Sequence, residues 1–488
     1  MESEKTNPSR RLPSLFWSLV PVVALLLAII GIIVVWGADT AQSVSHYILF
    51  GAAVLTALIA IVGYQCSLQR LWLGLRKSAA QILPAIPILV FIATVSATWM
   101  MSGVVPALID YGLELLSPQL FLFIACVICS VVSVISGSSW STIATIGVAL
   151  MGIGQVLGFS DGWIAGAIIS GAYFGDKMSP LSDTTVLASS SCGVDLFAHI
   201  KYMFITTIPS MTIALIVYFI VGQLTPVSVL SHSIEITEHL QSSFNITPWV
   251  LLIPLLTCVL LLLKLKTVVT LGISTLMGLV GMFVFQPQIV EVLGGGSGVM
   301  TDATVVMEVL FTETTVDTGS EMLNSLVATG GVEGMLPTIY LILCSMFFGG
   351  MMIGGGMIST ITSTFTRRLH SVNSIVSATV GSGLFFNACT ADQYLSLILG
   401  GNVYKNIYRR NGLEPRLLSR SLEDSISVTS VLIPWNSCGV TQSTVLGVAT
   451  IAYLPYCLFN WLSPLMTLLV ARLCNRYFRK AIFVNSRR

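Results

Sequence analysis

From Leu15 to Trp36 the chain carries no charge, and apolar runs of similar length recur almost to its end. A bilayer core is spanned by about 20 such residues in a helix. Repetition on this scale leaves one fold class, an all-α polytopic membrane protein. Composition agrees: 9% of the 488 residues are charged, where a soluble domain carries about 25%. The first run follows Lys5, Arg10 and Arg11 as a signal peptide would, but it is too long for a signal's apolar stretch and is taken as an anchor. The net charge of +1 gives no bulk attraction for nucleic acid. The ten cysteines are scattered, and the close pair Cys126 and Cys129 reads as packing residues.

Basic residues cluster at Lys5/Arg10/Arg11, Arg70/Arg76/Lys77, Lys264/Lys266, Arg367/Arg368, 405–420 and the tail from Arg472. Acidic loops free of Lys and Arg lie between them, at 102–118, 223–247 and 286–334. The positive-inside rule then makes both termini cytoplasmic. The expected organisation is a cytoplasmic tail 1–14, a first membrane repeat 15–222, an outer linker 223–247, a second repeat 248–472 and a cytoplasmic tail 473–488. About ten spans are expected, roughly 15–36, 47–64, 81–101, 162–198, 202–222, 248–264, 267–285, 335–357, 421–451 and 454–472.

Two apolar regions, 119–157 and 372–402, are interrupted by the polar knots "SGSSWST" and "NACTADQ". Each begins and ends on one side of the membrane, the first outside and the second inside, as two re-entrant hairpins in inverted repeats would. Such hairpins require protein or a water-filled cavity to satisfy their backbone. A short tilted span is not separated from a hairpin arm by this criterion. The halves also echo each other. "PLSDTTVLASS" (180–190) resembles "GVTQSTVLGVA" (439–449), and each follows a proline-bearing stretch, "GDKMSP" or "IPWNSCG". Two broken helices are therefore expected, 162–198 and 421–451, and paired breaks mark a transporter's binding site.

The first break holds Asp176, Lys177 and Asp183. A charge at the centre of a membrane helix costs about 2.5–3.5 kcal/mol, so such residues are functional by default. Sodium, a hard cation, prefers carboxylate, carbonyl and hydroxyl oxygens, by analogy with calcium and magnesium. Asp176 and Asp183 are the expected sodium ligands, with freed carbonyls, Ser179 and Thr184 beside them. Ser138, Ser139 and Thr142 at one hairpin tip, and Asn387, Thr390 and Asp392 at the other, are candidates to complete the shell. The plainer alternative is a salt bridge from Asp176 or Asp183 to Lys177, which is also a candidate counter-ion. Asp392 has the alternative of capping its hairpin, and Asn436 of capping a helix. Glu423 and Asp424 read as a cytoplasmic helix start, where a carboxylate suits the helix dipole.

"SGAYFGDKMSPLSDTT" closely resembles the NhaC-type sodium/proton antiporter family of bacteria, and "NACTADQYLSLILGGNVYKNIY", "GLEPRLLSRSLEDS" and "LIPWNSCG" follow in that family's order. The likeness runs from about 15 to 472. "EDSIS" and "GVTQST" depart from the family's pattern and leave the substrate open. The resemblance implies exchange of sodium for protons across the bacterial cytoplasmic membrane. Relatives exchanging malate and sodium-lactate mark the alternative, a sodium- or proton-coupled organic-anion antiporter, with an amino-acid transporter left open beside it. It implies functional roles for Asp176, Ser179, Asp183, Thr184, Asn387, Thr390, Asp392 and Asn436, no cofactor, no enzymatic reaction, and sodium, protons and the lipid bilayer as partners, with a small organic anion and a homodimer left open. An intramembrane aspartyl protease using the "YFGD" aspartate would not explain why the break recurs, and a channel fits paired breaks less well than alternating access does.

Overall fold

The computed structural model describes residues 12–225, 230–263, 265–295, 299–319, 321–366, 369, 371–477 and 483. The expected tails 1–14 and 473–488 lie mostly outside the described residues, as do Lys264, Arg367 and Arg368. Among the described residues the chain is helical throughout, with only isolated β-bridges at Thr314–Thr329 and Leu413–Phe483. Nine helices among the described residues are long and apolar enough to cross a membrane, or up to eleven if each of two bent pairs is one span. This is a multi-pass α-helical membrane protein.

Boundaries differ from expectation where hydropathy does not reveal a turn. The span expected at 81–101 is the second part of Leu68–Met101. The one expected at 202–222 runs from Leu196 to Leu224. The one at 454–472 is a bent pair, Thr450–Tyr456 with Leu458–Arg476. The stretch 223–247 includes a helix, Leu230–Ser243. Helices pack where glycine lets backbones meet. A Cβ on Gly171 would lie 2.2 Å from the Cys126 carbonyl oxygen, and one on Gly175 would lie 2.4 Å from that of Ser130, so Asp161–Met178 rests directly on Phe121–Ser136. Leu68–Ile82 meets Gly331–Gly354 in the same way, through Gly74 and Gly350.

Both polar knots are turns between packed helices. Phe121–Ser136 ends at Gly137, which is left-handed at φ 69°, and Ser138 caps the next helix. Val372–Thr390 ends at left-handed Ala391, φ 54°, and Asp392 caps Gln393–Arg410. Both breaks are present too. Asp161–Met178 stops at Ser179, and Asp183–Cys192 restarts under a Ser182 cap, in place of an interrupted helix over 162–198. The second broken element begins earlier than 421, at Pro415, becomes π-helical over Glu423–Ser427, and restarts as Ser437–Leu446 under an Asn436 cap. The π-helical turn is the "EDSIS" segment.

These elements repeat in a single register. Boundaries at 139, 156, 161, 178, 183 and 192 recur at 393, 410, 415, 432, 437 and 446, always 254 residues later. The left-handed residues Gly137 and Gly193 recur as Ala391 and Gly447. The sequence likeness that sets 180 against 439 is out of step with this register, which sets 180 against 434. The helix caps hold the register, whereas the shared "TVL" falls at the start of one short helix and the end of the other.

Candidate functional site

The first break and the first hairpin tip meet at Asp176. Its Oδ2 accepts from the Ser139 backbone N–H (3.2 Å) and hydroxyl (2.7 Å), and its Oδ1 from the Ser182 hydroxyl (2.5 Å). Ser182 is also 2.9 Å from the Thr184 hydroxyl. Asp176 thus holds the tip and the break together while remaining on the wall of a cavity of about 770 Å³. That wall includes Ser138, Ser182, Asp183, Thr184 and, from the second hairpin, Gln393 and Tyr394. Asp176 and Asp183 both line this cavity: Asp176 is 9% exposed, and Asp183, at the first position of its helix, is exposed.

The other expected residues divide by what they touch. Ser179 donates to the Val134 carbonyl (2.8 Å), pinning the break to the hairpin away from the cavity wall. Thr142 donates to the Ser138 carbonyl (2.9 Å). In the second half, Thr390 donates to the Asp392 carbonyl (3.0 Å), and Asp392 accepts from the Leu395 N–H (2.8 Å) and the Ser437 hydroxyl (3.3 Å), which is the capping geometry. Asn436 accepts from the Cys438 N–H and donates to the Asn387 carbonyl (3.1 Å). Asn387 donates to the Ile426 carbonyl (2.7 Å) while its own buried amide oxygen accepts no hydrogen bond.

Lys177 corrects the sequence reading. It turns away from Asp176 and Asp183 and forms a buried ion pair with Asp424. Asp424 also accepts from Ser463 (2.6 Å), Thr206 (2.9 Å) and Thr467, with the Arg420 guanidinium 4.0 Å away. Glu423 and Asp424 are therefore not a solvated helix start; both are fully buried, as is Arg420. The missed signal was "RSLEDS", three charges beside two apolar runs. A basic loop just before it made a cytoplasmic helix start the cheaper explanation, although the default for a membrane charge pointed the other way.

The chain matches the Na+/H+ antiporter family over residues 10–190 and 171–472. It is 37% identical to the Na+/H+ antiporter NhaC of Alkalihalophilus pseudofirmus, over 78% of this chain and 80% of that one. The chain belongs to the Na+/H+ antiporter family. Other relatives of this chain have different cargoes in their names. The malate-2H+/Na+-lactate antiporter of Bacillus subtilis is 36% identical over 78% of both chains. The arginine/ornithine antiporter ArcD of Halobacterium salinarum is 32% identical over 96% of this chain and 93% of its own. The family is one of transporters, and its match covers both hairpins and both breaks.

Proposed function

We propose that the chain is a secondary active antiporter that exchanges sodium for protons by competition at Asp176 and Asp183. The observation that carries this is Asp176 itself: a carboxylate held by serine hydroxyls from a hairpin tip and a helix break, at the wall of a cavity that Asp183 also lines. The hydroxyls of Ser139, Ser182 and Thr184 donate or present lone pairs according to how they rotate. They satisfy the carboxylate when sodium is elsewhere and turn their oxygens toward sodium when it arrives, as a hard cation requires. Sodium and protons then compete for the same carboxylate oxygens. The relatives named as sodium/proton antiporters support the same exchange.

The basic clusters support a reading with both termini in the cytoplasm and the two halves in inverted orientation, and the relatives support a bacterial cytoplasmic membrane. The cavity wall includes Lys266, from one of those clusters, so the cavity opens to the cytoplasm. A second reading, coupled exchange of a small organic solute, is favoured by the cavity's volume, which falls within the range of about 300–1,000 Å³ typical of small-molecule sites. Lys177 is committed to Asp424, so Lys266 is the cation such a solute would meet on the wall.

The test is dissipation of a pH gradient in proteoliposomes on sodium addition, with a panel of organic acids and amino acids in parallel. Asp176→Asn and Asp183→Asn should each abolish sodium-driven proton movement, and in the wild type apparent sodium affinity should fall as pH drops. Full exchange in both variants would refute this site and transfer the role to Asp392.

A further inference from the structure

Around the two breaks, four buried carboxylates, Asp176, Asp392, Glu423 and Asp424, stand against two buried cations, Lys177 and Arg420, and Asp392 is satisfied by the Leu395 N–H and the Ser437 hydroxyl. Asp424 takes up both cations: Lys177 pairs with it directly and Arg420 approaches to 4.0 Å. Asp176 is satisfied by three hydrogen bonds. Glu423 is left over. It is 0% exposed, and neither carboxylate oxygen has a hydrogen bond of good geometry, although the hydroxyls of Ser427 and Thr184 lie close to it. The Ser427 hydroxyl, one turn on, is buried and likewise unpartnered. Thr184, whose hydroxyl also meets Ser182, lies beside Glu423, and both Asp176 and Lys177 are within its electrostatic reach. A buried carboxylate with neither a direct ion pair nor well-formed hydrogen bonds is costly to keep. A chain that retains one has a use for a positive charge there.

We propose that Glu423 is a ligand for the transported cation, which binds between Asp176 and Glu423 with the hydroxyls of Thr184 and Ser427 as further oxygens. The proposal rests on the sodium-antiport reading of the Asp176 site and adds the second half's contribution to it. Four oxygen-bearing side chains drawn from both broken helices make a set suited to a hard monovalent cation. Among the described residues there is no group of three or more His, Cys, Asp or Glu that could hold a metal ion, so the oxygen set does not compete as a transition-metal site. The π-helical turn contributes directly. A π-helical turn over Glu423–Ser427 is the kind of local change in winding found at functional sites.

The experiment is sodium binding to the purified full-length protein, read as sodium-dependent thermal stabilisation against choline chloride and as 22Na+ binding, for wild type, Glu423→Gln, Glu423→Asp and Ser427→Ala. Glu423→Gln should weaken sodium binding at least tenfold, and Ser427→Ala severalfold. Glu423→Asp, which keeps the charge but retracts it by one methylene, should fall between wild type and Glu423→Gln. Should Glu423→Gln fail to fold, the Asp and Ser427→Ala variants decide: wild-type affinity in both overturns the proposal, and graded loss supports it. Affinity within twofold of wild type in a folded Glu423→Gln, with binding abolished in Asp176→Asn, overturns the role of Glu423 and leaves the antiport reading standing. No sodium binding by the wild type at alkaline pH would overturn both.

Discussion

Lys177 and Asp424 are the pair whose disruption the structure ranks most sharply. Both are buried, at 1% and 0% exposure. Removing one member of a buried ion pair costs about 3–5 kcal/mol, because the survivor keeps its desolvation penalty without its partner. The survivors here are unequal. Lys177→Met leaves Asp424 with hydroxyls from Thr206, Ser463 and Thr467 and with Arg420 at 4.0 Å. Asp424→Asn leaves two cations without a direct ion pair, Lys177 with the Ser463 hydroxyl, the Phe459 ring at 5.7 Å and Glu423 within electrostatic reach, and Arg420 over the Tyr202 ring at 4.8 Å. Lys177→Met should therefore cost near the lower end, about 3 kcal/mol, and Asp424→Asn near the upper end, about 5 kcal/mol. The double variant removes the mutual charge and should lose at least about 2 kcal/mol less than the two losses added together, within the coupling range of contacting residues. Its recovery stays incomplete because Arg420 remains. The assay is thermal unfolding of the detergent-solubilised protein at one scan rate, followed by size-exclusion fluorescence and compared as an order of variants, since such unfolding is commonly irreversible. Additive losses, or Lys177→Met proving the more damaging single change, would refute the assignment.

Gly171→Ala should destabilise by about 1–3 kcal/mol, because its Cβ would press on the Cys126 carbonyl and neither backbone can yield locally; Gly381→Ala, with nothing within 4 Å, serves as the tolerated control in the same melt. Val186 is exposed on the cavity wall, so Val186→Cys on a cysteine-free background should react with a membrane-impermeant maleimide in inside-out vesicles and not in right-side-out vesicles; reaction only from outside would reverse the orientation.

Much of the architecture was legible because it follows from hydropathy and from proline, glycine and capping residues, which are local properties. The two hairpin tips and two breaks were located from short polar knots in apolar surroundings. Asp176, Asp183, Ser138, Ser139 and Thr184 stood out in the sequence because a charged or hydroxyl residue in such a place has few explanations, and the structure brings them together at or beside one cavity. What was not legible depends on partners distant in sequence. Nothing in "GDKMSP" says that Lys177 faces a carboxylate 247 residues away. Nothing in "RSLEDS" distinguishes a buried π-helical turn from a solvated helix start when a basic loop precedes it. The close contact of the 161–178 helix with the first hairpin rests on Gly171 and Gly175, whose spacing is common in membrane helices and specifies no partner.

The duplicated register separates scaffold from chemistry without any second sequence. Ser133 donates to the Ala172 carbonyl (2.6 Å), and 254 residues on Asn387 donates to the Ile426 carbonyl (2.7 Å). Ser139 donates to Asp176, and at the matching positions Ser430 donates to Gln393 (3.2 Å). Ser182 and Asn436 cap the two restarted helices. The bonds that tie a hairpin to its break are thus present twice, with different side chains, and need no charge, since a neutral pair does the same work in the second half. The charges occur once. Asp176 and Lys177 are matched by Ser430 and Val431, while Glu423 and Asp424 are matched by Ile169 and Ser170. They also interlock across the halves, Lys177 with Asp424 and Glu423 toward Thr184 and Asp176. A rocking of one half against the other would change the Asp176–Glu423 separation while leaving each hairpin bonded to its own break. A cation held between those two carboxylates would then be gripped in one arrangement of the halves and released in the other, which couples its binding to the motion that alternating access requires.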